Sequence, residues 1–304
     1  MTTTAEHPAV FDPKDLARIE NLELLASRVV DGLLSGKHRS ELKGGSAEFT
    51  EHRGYVPGDE IRLIDWKVYG KSDRYFIKQY IEQTCLQVIV VADGSGSMAF
   101  GLDGGSKFQY ARAVAACLTR LVLRQRDSAG LAVLGKTLRN YIPPRANPNH
   151  FQALLELLRV ARPSGETALA DNLTELTRRI KRRGLIVLLS DCFDEIDSLR
   201  QAFQFLRARG HEIILLHTMA PEELTFDFGG WSRFECLEVI NRHLDLDPAL
   251  IRREYVENVR KFLADLKRIC GETGTDYHPL PTNKPMGEAL AYYLKRRSAR
   301  LKQT

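Results

Sequence analysis

The chain has 304 residues, is 43% hydrophobic and 27% charged, and carries a formal net charge of +5, ordinary values for a folded globular protein. The charge concentrates in RRIKRR (178–183) and KRRSARLK (295–302), which lack interleaved aromatics and read as solvated helix ends, so nucleic-acid binding is not expected. The five cysteines are scattered without a C-x-x-C pair, which excludes a disulfide framework or cysteine zinc site, and no apolar run approaches the ~18 residues of a membrane span.

Residues 12–35 place Leu16, Ile19, Leu22, Leu25, Val29 and Leu33 three or four apart, the spacing of an amphipathic helix with an Asp-Pro start and Gly36 near its end. Glycines, a Pro-Gly-Asp turn and short alternating segments such as FIKQYIEQ follow in 37–84, suggesting strands and hairpins. From residue 85 the pattern becomes strand–helix alternation. LQVIVVAD (86–93), GLAVLG (130–135), GLIVLLSD (184–191) and EIILLHT (212–218) are apolar on successive residues, as in strands covered on both faces. Helices fit 106–125, 149–160, 168–181, 197–209, 248–270 and 286–300. LRNYIP (138–143) follows GLAVLG closely enough to be its antiparallel edge partner, where proline is tolerated. The expected fold is α/β: a doubly wound, mainly parallel sheet with helices on both faces. Residues 1–84 form an N-terminal helix and β-rich extension to the domain at 85–304, which carries an insert at about 219–247.

Ligands of open parallel sheets bind beyond the carboxyl ends of the strands, where strand order reverses. Asp93 ends one strand there, inside Asp93-Gly94-Ser95-Gly96-Ser97, and Asp191 ends another. Thr167 stands at a loop-to-helix junction. These two carboxylates and three hydroxyls offer oxygen only, which suits a hard cation such as Mg2+ (or Mn2+) and not zinc or copper. A dinucleotide loop fails because Ala99 stands at the third glycine position, and neither a GK[ST] phosphate loop nor a G-x-S-x-G elbow is present. An aspartyl phosphatase loop usually has a second aspartate two residues on, where this chain has Ser95. Each of these residues also has a plain structural use, as turn serines, a helix cap or strand-end carboxylates.

The D-x-S-x-S run, with Thr167 in G-x-T-x-L and Asp191 after an apolar strand, resembles the metal-ion-dependent adhesion site of von Willebrand factor type A domains. That resemblance implies that Ser95, Ser97 and Thr167 ligate the metal directly, with Asp93 and Asp191 acting mostly through water and as hydrogen-bond anchors. Three neutral hydroxyls leave the cation electrophilic toward a partner's carboxylate. The stretch 44–80, with Arg53 and Tyr55, Pro57-Gly58-Asp59, then Arg62, Ile64, Asp65 and Trp66, resembles the domain of unknown function 58 family across nearly the whole chain. Membership implies a cytoplasmic, non-enzymatic interaction protein, working with a MoxR-type AAA+ ATPase or a client that donates a carboxylate, in protein maturation or remodelling. Cys192 departs from the type A pattern, where glycine commonly follows the second aspartate. The alternatives are a metal-dependent phosphohydrolase with Asp93 as nucleophile, and a scaffold whose metal site has decayed. Arg62 and Asp65 are read as tying the N-terminal segment to the domain, Trp66 as a packing residue and His217 as a satisfied core histidine.

Overall fold

A computed structural model describes residues 21–35, 49–56, 64–80, 86–102, 105–138, 140–166, 168–238 and 242–301. Through the sheet region, the chain runs α1 (Leu22–Ser35), β1 (Phe49–Gly54), α2 (Trp66–Ser72), β2 (Phe76–Tyr80), β3 (Gln87–Asp93), α3 (Lys107–Arg124), β4 (Ser128–Leu134) and β5 (Asn140–Arg145). It continues with α4 (His150–Val160), α5 (Leu169–Arg179), β6 (Leu185–Ser190), α6 (Ile196–Ala208) and β7 (Glu212–Met219). The last part holds α7 (Pro221–Thr225), β8 (Ser232–Glu235), β9 (His243–Leu246), α8 (Pro248–Thr273), β10 (Asp276–Pro281) and α9 (Met286–Leu301).

Six strands form one sheet in the order β10-β7-β6-β3-β4-β5, parallel except for β5. The apolar runs make it doubly wound because successive side chains leave opposite faces of a strand. Val88 and Val90 pack with α1, α3, α4 and α9 on one side, while Ile89 and Val91 pack with α5, α6 and α8 on the other. All four are fully buried, each contributing about 1.5–3 kcal/mol relative to exposure. The expected antiparallel edge is present, with Tyr141 and Ile142 of β5 opposite Ala132 and Leu131 of β4. β10 is an element that the sequence pattern did not reveal; it extends the opposite edge beside β7.

Leu25, Ala26, Val29 and Val30 of α1 enter the same core, against α3. β1 and β2 form an antiparallel ribbon. Asp65 caps α2 by accepting from Lys67 N at 3.0 Å, while Arg62 lies outside the described residues. Trp66 does not pack as expected: it is 58% exposed and meets the edge of Tyr69 at 6.1 Å. The buried positions there belong instead to Ile64 and Ile77, which bridge the two segments. Within the insert, α7 is followed by the β8–β9 hairpin, which an aromatic cluster fastens to α8. Phe226 stacks on Tyr255 at 4.1 Å and on Phe234 at 5.5 Å.

Candidate metal and docking site

The strand order reverses at β3: the chain leaves it for β4 on one side, while β6 lies on the other. The loops after β3 and β6 therefore diverge and leave a crevice, into which the sequence places Asp93 and Asp191. Asp93 is the last residue of β3, and Asp191 follows Ser190, where β6 ends one residue earlier than expected. Both carboxylates are 1% exposed.

Asp93 is held at both oxygens. Its Oδ1 accepts from Ser95 N at 2.9 Å and its Oδ2 from Ser190 Oγ at 2.6 Å. Ser190, which the sequence reading overlooked, also accepts from Cys192 N at 2.8 Å and so links the two strand ends. Burial, then the charge of Asp191, pushes the Asp93 carboxyl up to about 7, against the pull of those hydrogen bonds. The Asp93 carboxyl thus keeps its proton to a higher pH than a free aspartate does.

Ser95 Oγ and Ser97 Oγ lie 2.9 Å apart. Adjacent ligands of an octahedron with bonds of about 2.1 Å are separated by about 3.0 Å, so the two hydroxyls are spaced as a pair of neighbouring magnesium ligands. Gly94 and Gly96 permit this tight loop by close approach. A Cβ on Gly94 would lie 2.6 Å from Leu134 O, and one on Gly96 would lie 2.1 Å from Leu237 O. The loop is stitched to the segment before α5, Gly96 N donating to Gly165 O at 2.8 Å and Ser164 N to Gly94 O at 3.1 Å. Thr167 lies outside the described residues. Among the described residues, no three His, Cys, Asp or Glu side chains cluster as a metal site. The candidate set depends on hydroxyls, and its chemistry fits Mg2+ or Mn2+.

Lys107 is the residue that sequence reasoning missed. It is fully buried at the first position of α3, where the Ser106–Gln109 capping box fixes the helix start. Its Nζ lies 2.6 Å from Asp191 Oδ2 and 2.5 Å from Glu223 Oε1, and 4.9 Å from the centre of the Phe193 ring. Burial opposes its charge, but the carboxylates of Asp191 and Glu223 prevail and hold its pKa above the usual value. The signal was a lysine at a helix N-terminus, where the dipole disfavours a cation unless carboxylates face it.

Asp191 is further fixed through its carbonyl, which accepts from His217 Nε2 at 2.9 Å. Nδ1 of His217 then accepts from Tyr277 OH at 3.0 Å, so the histidine is satisfied at both nitrogens, as expected. Burial lowers its pKa to about 4 and keeps it neutral. Cys192 has φ +56°, the left-handed conformation that favours glycine, yet its side chain is buried. Cys117 and Cys270 are buried too, whereas Cys236 is exposed on the insert.

The family model described as "Protein of unknown function DUF58" matches residues 51–264. The uncharacterized protein Rv1480 of Mycobacterium tuberculosis is 28% identical over 297 residues, covering 96% of this chain and 93% of that one. An aerotolerance-related membrane protein from Bacteroides fragilis superimposes with TM-score 0.49 at 14% identity, over 69% of this chain and 99% of that one. BatB from Bacteroides thetaiotaomicron gives TM-score 0.46 at 14% identity, over 71% of this chain and 99% of that one.

Proposed function

Because this chain belongs to the DUF58 family, we propose that it is a non-enzymatic protein-interaction module whose Asp93 loop docks an acidic partner through a divalent cation. The single observation that supports this most is the Ser95–Ser97 hydroxyl pair, hydrogen-bonded at 2.9 Å in the loop that follows the buried Asp93. Bound there, Mg2+ or Mn2+ supplies an electrophilic position that accepts a carboxylate oxygen. Ser95 and Ser97, with Thr167 by resemblance, offer it neutral lone pairs. Asp93 fixes the loop by accepting from Ser95 N, and its charge favours the cation. Asp191 acts behind these, because Lys107 already holds its Oδ2. The partner is a MoxR-type AAA+ ATPase or a client protein presenting an exposed Asp or Glu. Among the described residues, no helix is long and apolar enough to cross a membrane; a cytoplasmic setting is part of the proposal.

The phosphohydrolase alternative needs Asp93 as a nucleophile with a free, approachable oxygen. Both oxygens are engaged and the residue is 1% exposed, which favours docking. The test is binding between the purified chain and a purified MoxR-type ATPase, by biolayer interferometry in Mg2+ and in EDTA. Binding that needs Mg2+ and is lost in Ser97→Ala supports the reading, while equal binding in EDTA contradicts it.

A further inference from the structure

The two halves of α8 have different surroundings. In the C-terminal half, Leu266, Ile269 and Cys270 enter the core on the α5–α6 side of the sheet. Between Pro248 and Arg260, only Pro248 and Val259 are buried. This first half meets α7 and, through Tyr255 on Phe226, the aromatic cluster of the insert. Ala249, Arg253, Val256 and Arg260 recur there at three- and four-residue spacing, so they share one face of the helix. With Leu224 of α7 as the opposite wall, that face lines a groove of about 730 Å3. Leu250, next to Ala249 in the chain, is 79% exposed.

Arg252 braces the groove. Its Nε donates to Thr225 O at 3.0 Å and its guanidinium pairs with Asp227 at 3.1 Å, which ties α8 to the end of α7. Arg253 and Arg260 are exposed and, among the described residues, form no ion pair. They stand two helical turns apart, about 10 Å along the axis, with Val256 between them. Glu257 is the one acidic residue in the lining, against three arginines. A groove with apolar walls and this balance of charge complements an acidic ligand that also carries an apolar side chain. Arginine suits carboxylates in particular, because its planar fork pairs with both oxygens. Glu257 repels a uniform polyanion but tolerates a protein segment, whose charges are placed one by one.

We propose that this groove docks a segment of a partner protein in which two carboxylates flank an apolar side chain. The carboxylates pair with Arg253 and Arg260, and the apolar side chain rests on Val256 and Leu224. The interaction needs no cation, so it goes beyond the metal-dependent reading and does not rest on it.

The test selects short random peptides, displayed on phage, against the full chain immobilised in EDTA. The enriched peptides are then measured by fluorescence polarisation on wild type, Arg253→Glu/Arg260→Glu and Val256→Asp, each variant first checked for a native melting transition. The enriched peptides are expected to carry two or more Asp or Glu residues around an apolar one. Their affinity is expected to fall with added salt and to drop at least about tenfold in both variants. No enrichment, or peptides that bind wild type and the double variant equally, overturns the inference. So does oligothymidylate binding that needs Arg253 and Arg260 when no peptide does, because the face then serves nucleic acid. With EDTA present throughout, none of these outcomes depends on the metal site.

Discussion

Lys107 Nζ and Asp191 Oδ2 form a 2.6 Å ion pair in which the two side chains are 0% and 1% exposed. The pair joins the start of α3 to the end of β6, and Glu223 extends it into the insert. One of the two carboxylates at the crevice therefore has a permanent counter-ion. The other, Asp93, accepts hydrogen bonds from Ser95 and Ser190, and among the described residues no cation pairs with it, which is why the metal position is proposed on its side.

Removing the lysine leaves two buried carboxylates without their partner. Lys107→Met is expected to lower unfolding free energy by about 3–5 kcal/mol, the range for breaking a buried pair from one side. Adding Glu223→Gln to that variant is expected to recover part of the loss, because one stranded charge disappears. Urea denaturation of the single and double variants measures both effects; equal stability of wild type and Lys107→Met would contradict the account.

Asp93 gives a pH dependence of defined sign. Its folded pKa of about 7 lies above the ordinary 3.8, so between these values the native state binds a proton that the unfolded chain has released. Its contribution to stability is full below pH 4 and declines as pH rises toward 7, by about 4 kcal/mol in all. His217, with its pKa lowered from 6.5 to about 4, acts oppositely and loses stability as pH falls through that window. The Asp93 part is isolated by comparing wild type with Asp93→Asn in EDTA. The stability difference is expected to shift in favour of the variant as pH rises from 4 to 7. A difference that stays flat would refute the raised pKa.

Gly96 packs against the insert so closely that alanine cannot be accommodated without backbone movement, its Cβ lying 2.1 Å from Leu237 O. Gly96→Ala should displace the hairpin tip and speed amide hydrogen exchange in 232–246 while leaving β3 and β6 protected. Unchanged exchange at Cys236, whose N–H donates to Arg242 O, would count against the contact.

At Cys192 the usual order of substitutions is expected to invert. Its φ of +56° strains any residue with a Cβ, so Cys192→Gly should be more stable than Cys192→Ala by about 1 kcal/mol. Thermal denaturation of the two variants decides this, and alanine as the more stable would show that the loop adopts another conformation.

The central strands were legible because Val88 to Ala92 and Leu185 to Leu189 are apolar on both faces, a pattern that only a covered strand requires. α3 was legible as a helix over 106–125, and in the structure Ser106 caps its start. DYHPLP gave no such signal: Pro279 and Pro281 suit an edge, and the pairing of β10 with β7 is a tertiary choice. The D-x-S-x-S loop could be read because its spacing is local. The Lys107 network could not, because its partners are 84 and 116 residues away and only the fold brings them together.

The most direct test of the central claim is Mn2+ binding to the purified chain at pH 8, read by titration calorimetry for wild type and Ser97→Ala. The account predicts a single saturable site in wild type, competed by Mg2+, and loss of binding by at least about tenfold in the variant. Equal binding by the two proteins, or no binding by wild type, would contradict it.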